Sequence, residues 1–515
     1  MASSDFLFLS SPPSSTEDLQ QWRKDITKAL QNLLSSKTIL PVCIFKLPET
    51  LTSEKPDAYV PQHIGLGPIH HFRTDLYSKQ EKLKIVTANI ILQPCNVTTE
   101  FEKILQENLI NIVPVAEYCY DLSFDIDDDV LACVFAIDAL VLLDVLSKVR
   151  DGRSTAYMED VMMLENQIPL VILIELLNAL DVSTGDSANL FLTNLLLNFC
   201  QTRAIFKFIM PKNQFDLGID NRFHLLDCMH HLIVNHTIPP TPSARINFSV
   251  GINLENVENV VQTAGELFPC LNVFFKPILL LLKLPWDKIG SLIKKMLGDP
   301  PEVLEIDIPS VSLLTRIAKI GFSTTIGGIR DIKFDEENLT FCLPILDLKH
   351  DSEVILRNLV AYEELMFKSG IATNLDFTEY VDFMCGIVDS VKDVEILREK
   401  EVIVGDMEDE EVVKLFNGIT KSSVKVNGQK SKLQNTIEKV NNHYGNIPRI
   451  KVFRFLKKLF LASWKTLVVV FSILGLLLAI YVGVCEVYEC KDRFGLGEGR
   501  LVIPYVTMNN KLLDF

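Results

Sequence analysis

With 515 residues, 48% of them hydrophobic and 23% charged, the chain can bury a sizeable core, and its length allows two to four domains or one large helical one. The net charge of −16 is unevenly divided. Residues 421–465 carry eleven Lys or Arg against Glu438 alone, and the segment from 466 onward is −1, so setting that +10 and −1 aside leaves −25 on residues 1–420. So acidic a body argues against nonspecific nucleic-acid binding, which needs clustered cations.

The first residues, MASSDFLFLSSPPSS, have Asp5 where a signal peptide needs a basic start, and their apolar run is only Phe6 to Leu9. In the N-terminal extension (1–39), Ser15, Thr16 and Asp18 suit the cap of a short amphipathic docking helix striped by Leu19, Trp22, Ile26, Leu30 and Leu33 or Leu34. A main domain is expected over 40–448. It opens irregularly, because Pro41, Pro48, Pro61, Pro68, Gly65 and Gly67 forbid long helices, and a polar helix follows around Lys79–Leu92.

Asp127, Asp128 and Asp129 then open a helix apolar on nearly every face, since carboxylates at a helix N-terminus meet the dipole and cap free amides. Asp138 and Asp144 within it mark a central core helix, each charge costing about 2.5–3.5 kcal/mol at a bilayer centre. The aspartates do not make a calcium loop, because Val130 stands where the turn needs glycine. A second apolar helix follows Pro169, with Asn166 and Gln167 placed to close the backbone before it, and further helices are expected near 188–209 and 221–236. IPPTPS (238–243) reads as a loop, and prolines and lysines break the apolar stretch 267–286 below membrane length.

Beyond Pro309, the helix SVSLLTRIAKIG is expected to end at Gly321, with GFSTTIGG (321–328) as a turn. DIKFD and LTFCLPIL around EEN suggest a β-hairpin. A helix carrying Arg357, Asn358, Glu363 and Glu364 follows, and the acidic run DMEDEE opens another further on. Residues 449–465 form a basic amphipathic helix, with Val452, Phe455, Leu456, Leu459 and Phe460 on one face and Lys451, Arg454, Lys457 and Lys458 opposite, suited to anionic lipid headgroups. Residues 466–484, TLVVVFSILGLLLAIYVGV, hold no charge, proline or amide, and as a helix span roughly 28 Å, close to the hydrocarbon core of a bilayer. Trp464 and Tyr481 sit near its ends, where amphipathic rings suit the headgroups. The fold class expected is therefore mainly α: a large multi-helix globular domain with a small β-hairpin, then one C-terminal transmembrane helix and a tail, 485–515.

The positive-inside bias puts the large domain in the cytosol, with the plasma membrane the expected site. Eleven cysteines without a C-x-x-C pair fit free thiols in a reducing compartment, and Cys485 and Cys490 border the span where lipidation occurs. The four N-x-[ST] sequons, at Asn96, Asn235, Asn247 and Asn338, are about what chance yields. His224, Asp227 and His231 recur at three and seven residues, on one helix face, and offer nitrogen and oxygen ligands for a divalent ion in a hydrolase, although an amphipathic helix with surface histidines accounts for them as well. His70 and His71, beside Pro68, suit loop closure better than ligation. No phosphate-binding loop, nucleophile elbow or H-E-x-x-H helix occurs.

Several of these strings, in order, resemble one plant family, domain of unknown function 247. They are YVPQHIGLGPIHHF (59–72), Glu81 with Lys84, Asp138, LENQIP (164–169), LPILDL (343–348), RNLVAYEEL (357–365), Asp393–Val394 with Leu397, and Trp464 before the last hydrophobic span. The chain departs from the pattern at Ser463, where a proline is usual, and in its long tail. The resemblance implies a mostly helical, membrane-associated plant protein without established enzymatic activity. Some members are linked to self-incompatibility in grasses, which implies recognition or signalling. No catalytic, cofactor or metal residue is expected from it, and the protein partner is unidentified.

Overall fold

The computed structural model describes residues 40–93, 101–180, 188–207, 218–235, 308–419 and 430–451, apart from Ile326 and Arg449, together with helical Gln20, Arg23, Lys24 and Thr27. The segment 466–484, Cys485 and Cys490, nearly all of 1–39 and 452–465, and residues 236–307 lie outside the described residues. Two compact units are delimited, 1–441 and 442–515, and the fold described below is that of the first.

Its architecture is mainly helical. Helix α1 (Thr74–Leu92) packs on α2 (Asp128–Arg150), which also meets α3 (Leu170–Ala179) and α4 (Ala188–Arg203). α2 is long and apolar enough to cross a membrane, yet 72% of its most apolar window is buried within the protein. Packed against these helices, it is the core helix its aspartates imply, and the partly exposed stripe it keeps carries Asp144 and Lys148. Asp128 and Asp129 occupy its first turn, with Asp127 at the cap position. The Asp127 side chain makes no capping hydrogen bond, but Asp129 accepts from the Val130 amide at 2.9 Å, so the carboxylates act through the helix dipole and, at Asp129, by closing an amide. Asp144 pairs with Lys148 one turn later at 2.6 Å.

Helix α5 (Leu225–Asn235) follows, and after the undescribed segment comes α6 (Val311–Ala318). Here the structure corrects two expectations. The left-handed residue ending α6 is Lys319 (φ 58°), not Gly321, and GFSTT is not a turn but strand β1 (Gly321–Thr325). The Gly321 amide donates to the Leu339 carbonyl at 2.8 Å, and Phe322 stacks on Phe341, so a β-prone run pairs at a sheet edge instead of turning. The expected hairpin is present: β2 (Lys333–Asp335) runs antiparallel to β3 (Thr340–Pro344), and β1 pairs with β3 in parallel, giving the order β1-β3-β2. Asp335 closes the hairpin by accepting from the amides of Glu337 and Asn338.

LPILDL enters a second small sheet. Its strand β4 (Leu346–Asp347) pairs in parallel with a later strand and also receives the 205–207 segment, Lys207 N–H donating to Ile345 and Asp347 N–H to Ile205. Helices α7 (Ser352–Lys368), α8 (Asp376–Ile387) and α9 (Val391–Glu399), strand β5 (Ile403–Val404), and helices α10 (Asp409–Gly418) and α11 (Lys432–Asn446) complete the chain order. A capping box starts α9: the Asp393 carboxylate accepts from the Ser390 amide and hydroxyl. Its other oxygen accepts from the Ser312 amide at 2.6 Å, tying α9 to α6, while Val394 and Leu397 are fully buried. Asp393–Val394–Leu397 is thus a cap and its core contacts.

After β5 the chain passes so close to Leu348 that a Cβ on Gly405 would collide with the Leu348 carbonyl, and Gly405 has a φ of 101°. Gly405→Ala is expected to destabilise the domain by about 3 kcal/mol or more, combining backbone strain with that collision, read as a lower urea midpoint with an unchanged slope.

Candidate functional site

The strings that carry the resemblance converge on one place, a knot of buried polar groups around the middle of α2. Asp138 is fully buried there. One carboxylate oxygen lies 2.8 Å from the Lys84 ammonium on α1. The other accepts from the Gly67 amide at 2.9 Å and lies 3.2 Å from His71 Nδ1. Lys84, itself buried, also meets Glu81 at 2.8 Å, one turn back on the same helix. His71 Nε2 stands 3.5 Å from the second Glu81 oxygen, so one imidazole spans both carboxylates. The arrangement explains Gly67: its φ of 69° lets the amide point at Asp138, and a Cβ there would come within 2.9 Å of the Tyr120 hydroxyl.

LENQIP fastens the same loop from the other side. Asn166 Oδ1 accepts from the Leu66 amide, while its Nδ2 donates to the carbonyls of Ile64 (3.0 Å) and Asp160 (2.9 Å). Gln167 donates to Val161 and Met163, both at 2.8 Å, and accepts from the Leu226 amide at the start of α5. Both residues close backbone before Pro169, as their positions suggest, but across long range as well as locally. Glu165 accepts from the Leu47 amide at 2.6 Å and lies 3.6 Å from His70 Nε2. Burial raises the Glu165 carboxyl and lowers the His70 imidazole to about 3, so His70 is neutral at ordinary pH. Asp160 gathers the amides of Gln62, His63 and Ile64. Asn358 of α7 completes the set, accepting from Leu164 N–H and donating to the Ala58 carbonyl. Amides and carboxylates thus stand in for the secondary structure that the Pro- and Gly-rich loop 59–72 cannot form.

The His224, Asp227 and His231 group does not assemble as a ligand set. His224 lies just before α5, fully buried, with Nε2 donating to the Cys43 carbonyl at 3.1 Å and Nδ1 accepting from the Asp227 amide at 3.2 Å. Both nitrogens are thereby engaged, and burial holds the imidazole neutral, at about 4. Asp227 accepts from the Phe223 amide, Arg222 and the Tyr362 hydroxyl. His231, half-buried, contacts Asn235 at 2.9 Å. Among the described residues no three His, Cys, Asp or Glu side chains are placed to hold a metal ion.

Periodicity did not single out the pair His230–Glu363, where His230 Nε2 meets Glu363 at 2.9 Å. Glu363 also takes the amides of Phe377 and Thr378 and the Thr378 hydroxyl, fixing the start of α8. Burial alone would raise the Glu363 carboxyl, but His230 and Thr378 outweigh it and hold it below the ordinary range. The signal was the RNLVAYEEL string, in which Asn358 and Glu363 lie five apart and therefore reach different neighbours.

Two outcomes test this site. Lys84→Met leaves Glu81 and Asp138 without their cation and is expected to cost roughly 3–5 kcal/mol in urea unfolding; adding Asp138→Asn, whose oxygen still accepts from Gly67, recovers a large part. His224 takes no proton until about pH 4, whereas the unfolded chain takes one near 6.5. Stability therefore falls as pH drops through that window and levels off below it. Relative to His224→Gln, the wild type should lose on the order of 3 kcal/mol between pH 7 and pH 4, measured by urea titration at each pH.

No solved structure matches the chain. A UPF0481 protein of Arabidopsis thaliana is 28% identical over 525 aligned positions, covering 90% of this chain and 95% of the relative. The sequence profile of domain of unknown function 247, described as a plant protein of unknown function, matches residues 44–478, a span that contains the whole polar knot. The chain belongs to that plant family.

Proposed function

We propose that this protein is a single-pass membrane-anchored recognition or signalling component whose helical domain acts by binding a protein partner rather than by catalysis. The observation that carries the anchor is the uncharged stretch 466–484 behind a cationic collar that includes Lys451, Arg454, Lys457 and Lys458. What supports a non-catalytic domain is how its motif residues are used. Asp138, Asp160, Asn166, Gln167 and Asn358 hold backbone amides and carbonyls at hydrogen-bond distance, an arrangement that shapes a scaffold and presents no reacting group to a substrate. The domain faces the cytosol at the plasma membrane in this reading, and collar lysines and arginines meet anionic headgroups.

The test is topology and extraction in plant microsomes. The full chain is expected to resist alkaline carbonate, and a tag at its N-terminus should be digested by external protease in sealed vesicles while a C-terminal tag is protected. Release by carbonate ends the anchor reading, and protection of the N-terminal tag reverses the orientation.

A further inference from the structure

Helix α1 has two apolar faces, and among the described residues only one is packed. Tyr77, Lys84, Ala88 and Leu92 are buried against the protein. On the other side Leu76, Leu83, Val86 and Ile90 are 44–61% exposed, and their spacing of seven, three and four places them in one row. Phe72, four residues before Leu76, is 48% exposed at the head of the row. Of the ten large hydrophobic side chains exposed among the described residues, these five make half, so they form a patch rather than the usual scatter. The row is roughly 21 Å long at the helical rise.

Charge selects the occupant. Arg73 and Asp75 neutralise each other at 3.6 Å, and Glu81 turns inward to Lys84. Lys79, within the row, and Lys82, at its edge, are both exposed and set the charge of the face, on a body that is otherwise strongly acidic. A second copy fits poorly: antiparallel pairing about Leu83 would set the two Lys82 residues side by side and lay each Lys79 on the other copy's apolar row near Val86, and the one acidic residue exposed on the face, Asp75, would fall far from both. An apolar row with lysines able to extend past it matches an anionic lipid surface, where alkyl side chains enter the acyl boundary and ammonium groups stay at the phosphates.

We infer that the outer face of α1 is a second membrane contact, which lays the helical domain against anionic phospholipid. The inference rests on the membrane-anchored reading for its setting. It adds a contact more than 370 residues upstream of the anchor.

The experiment uses the full chain reconstituted into phosphatidylcholine vesicles with or without phosphatidylserine, a photoactivatable phosphatidylserine carrying its diazirine on the acyl chain, and peptide mapping of the label. Two variants, Leu83→Glu/Ile90→Glu and Lys79→Glu/Lys82→Glu, change only exposed side chains, and unchanged thermal midpoints verify their folding. The expected result is label on peptides from 72–92 in phosphatidylserine vesicles, lost at least ten-fold in Leu83→Glu/Ile90→Glu. Each lysine near an anionic surface gives roughly a five-fold gain, so Lys79→Glu/Lys82→Glu should lower the label on the order of 25-fold, towards the value in phosphatidylcholine alone.

A carbonate-resistant chain with no label on 72–92, or with label that neither variant changes, overturns the α1 contact and leaves the anchor standing. Label on α1 blocked by a second copy, seen as a cross-linked dimer, also overturns it. If carbonate strips the wild type, the anchor reading fails, and vesicle flotation then decides α1 separately. Flotation that needs phosphatidylserine and is lost in Leu83→Glu/Ile90→Glu upholds the contact, and flotation unchanged by that variant refutes it.

Discussion

A single carboxylate in the middle of an apolar helix organises this domain. Asp138 is enclosed by α2 and its neighbours, and a charge so placed persists only where a cation and hydrogen-bond donors meet it. Lys84 supplies the cation from α1, Gly67 the amide from the loop, and His71 a contact 3.2 Å away. Those partners lie on two stretches of chain, Lys84 on α1 and Gly67 and His71 on the segment 67–71 before it, so satisfying Asp138 sets the position of α1 on α2 and the path of that segment. The pair is poor at adding net stability compared with apolar packing. Its value lies in specificity, because alternative packings of α1 would leave Asp138 and Lys84 buried apart.

The same logic extends outward from the knot. A loop rich in proline and glycine has few backbone partners of its own, and buried amides without partners cost about 1–3 kcal/mol each. Asp160 and Asn166 take the amides of Gln62, His63, Ile64 and Leu66, and Gln167 passes the connection on to α5. From α5, His230 reaches Glu363, which in turn fixes the first turn of α8. Polar side chains in succession therefore set the relative placement of α1, α2, α5, α7 and α8, while apolar packing supplies the bulk of the burial.

Much of this was legible in the chain itself. The helical periods of 128–150 and 352–368, the hairpin around EEN and the acidic start of α10 follow from local patterning, which acts within a few residues. Aspartates inside an apolar run identified α2 as core rather than membrane, because burial against protein is the cheaper way to keep a charge. What periodicity misjudged depended on distant partners. GFSTT became a strand because β3 offered it an edge, and Lys319 took the left-handed position that Gly321 seemed designed for. His224, Asp227 and His231 share a helical spacing, but spacing does not reveal that His224 is committed to Cys43, 181 residues earlier. A ligand set needs free lone pairs converging on one point, and sequence proximity measures only the convergence.

The contrast between the two faces of α1 ties these strands together. Its inner face is specified by ionic and hydrogen-bonding partners, leaving no freedom in register, since Lys84 and Glu81 must both meet the knot. Among the described residues nothing specifies its outer face, yet it retains Leu76, Leu83, Val86 and Ile90 where solubility alone would favour polar residues. A helix locked so firmly from behind presents its outer row as a rigid surface, and binding to a rigid surface loses less entropy than binding to one that must first be ordered. In the proposed membrane contact, the buried polar knot and the exposed apolar row are thus two halves of one device: the first holds the helix still so that the second can meet lipid.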